Sequence, residues 1–176
     1  MSILKIDKFY FTGDDLNIPN ISSSGAGQSG AVAQGNLDKL NKFIDKKEPE
    51  FLKKVLGKEL YLLYKEGMEV VADNPIEKWV KITNYLINTE LHTSAFANFI
   101  WWNWSRSTVS SSMATGETIA GKENGKSVSP IDHQVGVWNE MVDMLFELRE
   151  FIESSNDYKE FLPDEDIYSK QNSYNF

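Results

Sequence analysis

The stretch FANFIWWNWSRSTVSSSMATGETIAGKENGKSV, Phe96 to Val128, sets Trp101, Trp102 and Trp104 within four positions and runs on into Ser, Thr and Gly. At about 100° per residue, Phe96, Phe99, Ile100 and Trp104 share one arc of a helix expected over 93–110, while Trp101 and Trp102 project on either side of the opposite edge. A helix carrying large rings around most of its circumference has to be surrounded. Each ring buries roughly 150 to 250 Å², so two left in water forgo several kcal/mol at ~25 cal/mol per Å². Four helices of one domain suffice to enclose Phe96, Phe99, Ile100 and Trp104. Trp101 and Trp102 are candidates for shielding by a second copy, with Arg106 one turn after Trp102 and able to stack on its indole.

The polar run after this helix reads as a β-hairpin or extended loop over about 114–130, because Asn124-Gly125 suits a type I′ turn. A hairpin is marginal alone, so its edge is expected to pack on the domain or on a neighbour's hairpin, which adds Thr115, Glu117, Ile119, Asn124 and Val128 to the candidate subunit interface.

Outward from there, Pro130 opens the cleanest helical period in the chain, Ile131, Val135, Trp138, Met141 or Val142, Leu145, Leu148 and Ile152. On its other side Glu140, Asp143, Glu147 and Glu150 form an acidic stripe, a spacing that is normally a solvated face. Upstream, Asn74-Pro75 looks like a cap and first-turn proline for a helix with Ile76, Trp79, Val80, Ile82, Tyr85, Leu86 and Ile87 on a wide arc, expected to be the central one. Before it, Leu60, Leu63 and Tyr64 mark a short helix that Gly67 should stop. Leu37, Leu40, Phe43 and Ile44 mark a helix capped by Asn36, and Glu48-Pro49 suits the first turn of another, with Phe51, Leu52, Val55 and Leu56 on one side and Gly57 at its end. The expected organisation is an extended N-terminal arm over 1–35, a mainly α helical bundle over 36–162 with its inserted hairpin, and a C-terminal tail over 163–176.

Composition narrows the function. The 176 residues carry a formal charge of −8, and 41% are hydrophobic, which suits one globular domain and argues against phosphate neutralisation as the main task. Lys39, Lys42, Lys46, Lys47, Lys53 and Lys54 are the one basic cluster, and they alternate with Asp38, Asp45 and Glu48 as a solvated face does. There is no cysteine, hence no thiolate chemistry. No run approaches the ~18 apolar residues of a membrane span and no secretory signal is evident, so assembly in the cytoplasm is expected. His92 and His133 lack a second ligand at metal spacing, ATGETIAG lacks the Lys-Ser or Lys-Thr of a phosphate loop, and no catalytic or cofactor-binding constellation is visible. An enzyme is the weaker class.

The segments FIDKKEPEFLKKVLGKELYLLYKEG (Phe43 to Gly67), the tryptophan stretch, and VWNEMVDMLFELREFI (Val137 to Ile152) with its Trp138-Asn139 pair resemble head-to-tail connector proteins of tailed bacteriophages. The particular likeness is to the neck and head-completion family of phages of gut Bacteroidales, including the ring proteins of crAss-like phages. The resemblance covers roughly Leu37 to Leu162 and implies a structural virion protein in the neck, without catalytic, cofactor or metal residues. It implies a twelvefold ring docked on the portal protein or other neck and tail proteins, with the N-terminal arm as a contact to the portal or capsid. Double-stranded DNA would be passing cargo, and the stripe Glu140, Asp143, Glu147 and Glu150 would line its channel. The alternative is a DNA-packaging or regulatory adaptor that binds nucleic acid transiently. The arm SSSGAGQSGAVAQG has no counterpart in the family pattern.

Overall fold

A computed structural model describes residues 3–13, 15–21, 30–69, 76–112 and 130–174. The chain is mainly α, a helical bundle with a small two-stranded antiparallel sheet. Helices α1 (Gly30–Leu56), α2 (Lys58–Glu69) and α3 (Glu77–Leu86) are followed by β1 (Ile87–Asn88), β2 (Thr93–Ser94), α4 (Ala95–Ser112) and α5 (Pro130–Ser154). The 3-10 turns Lys8–Phe11 and Glu165–Tyr168 flank them. The expected hairpin over about 114–130 lies outside the described residues.

The first helix differs from expectation in two ways. It starts at Gly30, ahead of Asn36, and it runs through Pro49. An interior proline costs about 3 kcal/mol. Leu40, Ile44, Phe51, Leu52 and Val55, on both sides of it, are buried in one core, and each contributes roughly 1.5–3 kcal/mol, so continuity outweighs the missing amide. Gly57 ends the helix with φ +81, the left-handed conformation that glycine adopts without penalty. Gly67 does not end α2, which continues to Glu69.

The sheet is formed where helix was expected to start. Ile87 pairs with Ser94 and Asn88 with Thr93. The Asn88 side chain accepts bonds from the amides of Glu90 (3.1 Å) and Leu91 (3.0 Å), which closes the turn between the strands. Ser94 then caps α4, its Oγ accepting from the amides of Phe96 and Ala97, each at 3.2 Å, and donating to the Leu86 carbonyl at 2.9 Å. The central helix is α4, packed against both α1 and α5, whereas α3 buries the narrower face Trp79, Ile82 and Leu86 and leaves Ile76 and Tyr85 exposed.

Both terminal segments lie on this chain's own bundle. At the front, Leu4, Ile6, Tyr10, Phe11, Leu16, Ile18 and Ile21 are buried in the core. At the back, the segment after α5 closes the end of α1. The four last carbonyls of a helix need outside donors, and here Gly57 N–H bonds Lys53 O (3.0 Å), Asp164 N–H bonds Lys54 O (2.8 Å), and Tyr168 Oη bonds Val55 O (3.0 Å). Leu162 N–H stands 3.5 Å from Leu56 O. Ile167 and Tyr168 are sunk in the core beside them.

Burial raises the Tyr168 phenol well above its ordinary 10.0, and burial likewise raises Tyr64, whose Oη is 2.7 Å from Thr83 Oγ1. A folded-state pKa above the unfolded one means the unfolded chain releases protons first as pH rises. Stability should therefore be intact below about pH 10 and fall progressively above it. Urea midpoints across that range, with phenolate absorbance followed in parallel, check this. A midpoint flat through pH 11 would contradict it.

Candidate functional site

The three clustered tryptophans are spokes from α4 to three different parts of the chain. Trp104 meets Phe43 of α1 edge-on, with centroids 5.4 Å apart. Trp102 packs at 4.6 Å on Trp138 of α5, and the Arg106 guanidinium stands 4.6 Å over the Trp102 ring, as its one-turn spacing predicts. Trp101 is 8% exposed, lies 4.7 Å from the His133 ring, and donates from Nε1 to the Asn17 carbonyl at 3.2 Å. Its surface is spent within the chain, so it has little to offer a sister copy. The folded N-terminal segment, read as a free arm, provides that cover. Trp102 is partly buried and Arg106 exposed. Thr115, Glu117, Ile119, Asn124 and Val128 lie outside the described residues.

Phe96, Phe99 and Ile100 form the inner arc as expected, with the Phe51 ring 5.1 Å from both Phe96 and Phe99. Asn98, also inside, is 2% exposed. Its Nδ2 bonds the Val137 carbonyl (3.2 Å) and Glu140 Oε2 (3.0 Å), which ties α4 to α5.

Glu140, Asp143, Glu147 and Glu150 are all exposed on one side of α5. Lys170 pairs with Asp143 at 2.6 Å. The adjacent Trp138 and Asn139 hold the C-terminal segment by its backbone. Trp138 Nε1 donates to Ser169 O (2.9 Å), Asn139 Nδ2 donates to Gln171 O (3.0 Å), and Gln171 N–H donates to Asn139 Oδ1 (2.8 Å). Between the segment 7–16 and the β1–β2 turn a hollow of about 230 Å³ is lined by Phe9, Tyr10, Leu91, His92, Asn98 and Glu140, among others. His92, at φ 50, touches the rings of Phe9 and Tyr10. Among the described residues no three His, Cys, Asp or Glu side chains are grouped to hold a metal.

No family model, curated protein or solved structure matches this chain. No helix among the described residues is long and apolar enough to cross a membrane.

Glu48 is where the sequence reading misses most. It is not part of the solvated face of α1 but 5% exposed, accepting from the amides of Ile3 (2.7 Å) and Leu4 through Oε1. Its place three residues before Phe51 and four after Ile44 on the apolar side was the available signal. Glu48→Ala should cost about 2 kcal/mol, since it leaves a buried amide without its acceptor. It should also speed hydrogen exchange at Ile3 and Leu4. An unchanged urea midpoint would refute the clasp.

Proposed function

We propose that the chain is a structural subunit of a ring in the neck of a tailed bacteriophage, joining the portal and capsid to the tail and continuing the DNA channel. The support is the likeness of Phe43–Gly67, Phe96–Val128 and Val137–Ile152 to connector proteins, together with how the remaining apolar surface is distributed. Phe9 (58% exposed) and Leu91 (71%) flank one hollow, while Leu62 (52%) and Leu63 stand out from α2. Leu162 (81%), Ile131 and Phe146 are exposed as well, and apolar residues standing out from several elements suit a subunit with neighbours on more than one side. That distribution is the observation that carries the proposal.

The partners so proposed are further copies of this chain, the portal, and neighbouring neck and tail proteins, with the duplex as cargo. Subunit contacts then fall on the outer faces of the helices and on the exposed Phe9 and Leu91. Immunogold electron microscopy of virions tests it. Label at the vertex between capsid and tail is expected. Label spread over the capsid, or absent from particles, would overturn the proposal, and salt-dependent duplex binding by the isolated chain would favour the adaptor.

A further inference from the structure

The outer face of α1 carries Lys39, Lys42, Lys46 and Lys53, all exposed and within an arc of about 60° at ~100° per residue. The outer face of α5 carries Glu140, Asp143, Glu147 and Glu150, all exposed and within about 80°. At 1.5 Å per residue the lysines span roughly 21 Å and the acids roughly 15 Å, so one row fits along the other. Lys39, Lys42 and Lys46 on one side, and Glu147 and Glu150 on the other, form no ion pair with any described residue. Both helices pack on α4. A basic row and an acidic row thus stand on different helices of one subunit. In a chain of net charge −8 that otherwise repels its copies, the lysine row is the local exception.

We propose that the lysine face of α1 in one copy docks on the acidic face of α5 in the next. This rests on the ring proposed above and names the contact that builds it. Because the two faces differ, each copy that uses its α1 leaves its α5 open. Such a head-to-tail contact propagates, and closes into a ring where the rotation allows. It also places Glu140, Asp143, Glu147 and Glu150 between subunits rather than along a DNA channel. Exposed pairs are individually weak, so the rows fix register and partner choice, and the contact weakens steeply with salt.

The test is sedimentation of the full chain at low and high salt, with two charge-reversed variants: Lys39→Glu/Lys42→Glu/Lys46→Glu and Glu147→Lys/Glu150→Lys. The wild type should self-associate at low salt and dissociate at high salt. Each variant alone should self-associate at least about tenfold more weakly, and their equimolar mixture should recover wild-type association, because every α1 then faces an opposite α5. Variants that associate as the wild type does, a mixture as weak as its components, or a wild type monomeric at low salt would overturn the pairing. Loss of duplex binding in the lysine variant, with self-association untouched, would overturn it in favour of a nucleic-acid face. Should either reversal fail to fold by circular dichroism, the neutral sets Lys39→Gln/Lys42→Gln/Lys46→Gln and Glu147→Gln/Glu150→Gln replace them, each expected to weaken association. Virion label at the neck with no effect of these variants sinks the pairing alone. Label absent from the neck sinks the ring and leaves the pairing to stand on sedimentation.

Discussion

Gly57→Ala should lower stability by about 3–5 kcal/mol and loosen the end of α1 together with the segment that closes it. Two costs add. At φ +81 an alanine sits in the left-handed region, at about 1–2 kcal/mol. Its Cβ would also lie 2.3 Å from the carbonyl oxygen of Leu162 and 2.8 Å from the carbonyl carbon, and backbone cannot rotate away as a side-chain tip can. Either Leu162 moves, taking with it the bonds from Asp164 to Lys54 and from Tyr168 to Val55, or α1 gives up its last turn. Gly57→Asn separates the two costs. Asparagine tolerates positive φ but carries the same Cβ, so it should remain severely destabilised. If urea unfolding shows Gly57→Asn within 1 kcal/mol of wild type, conformational strain and not the approach of Leu162 is what glycine relieves.

The same segment shows why some of the architecture was legible and some was not. Helical period places α4, α5 and the buried face of α1, although the caps read at Asn36 and Glu48-Pro49 do not begin helices, since burying one face against neighbours leaves a mark every three to four residues. Contacts that run through backbone leave no such mark. Nothing in DEDIYSKQN announces that Asp164 N–H and Tyr168 Oη will close a helix over a hundred residues earlier. A polar, aperiodic stretch with a few apolar residues reads alike whether it hangs free or lies in a groove. The N-terminal segment misleads in the same way. Leu4, Ile6, Tyr10, Phe11, Leu16, Ile18 and Ile21 have no common period, yet all are buried. The signal was their number, not their spacing.

The tryptophan cluster was legible by halves. Helical angle correctly separated Trp104 from Trp102, and set Arg106 over the Trp102 ring. It did not reveal that Trp101 would find cover at Asn17, because that requires knowing where the N-terminal segment lies. The Trp138-Asn139 pair, noticed first as a pattern of the resemblance, acquires a physical role only with the C-terminal segment in place, where indole and amide read the backbone of Ser169 and Gln171. The acidic stripe was legible as a row, but a row does not declare what it faces.

Gly67 separates propensity from packing more sharply, because the two predict opposite signs for one substitution. Inside a helix, Gly→Ala is worth up to about 1 kcal/mol in favour of alanine. On that ground Gly67→Ala would stabilise α2, and a reading of Gly67 as a stop would have it lengthen the helix. In the folded chain the position is covered by Trp79 of α3. A Cβ there would stand 1.9 Å from Nε1, 2.2 Å from Cδ1 and 2.8 Å from Cε2 of the indole. Trp79 is 4% exposed and wedged near Tyr64 (6.1 Å between centroids) and Tyr158 (6.3 Å), with Lys78 Nζ 4.2 Å from its ring centroid. Its displacement would disturb the α2–α3 contact as a whole. Overpacking of this kind costs 1–3 kcal/mol and occasionally more, so after the propensity gain a net loss of about 1–2 kcal/mol is expected, measured as a lower urea midpoint. A double-mutant cycle with Trp79→Phe assigns the cause. Phenylalanine lacks the indole's distal six-membered ring and can shift into that space away from the new methyl, so Gly67→Ala should cost at least 1 kcal/mol less in that background. Stabilisation by Gly67→Ala in the wild-type background, or strict additivity with Trp79→Phe, would mean that the indole does not dictate glycine here.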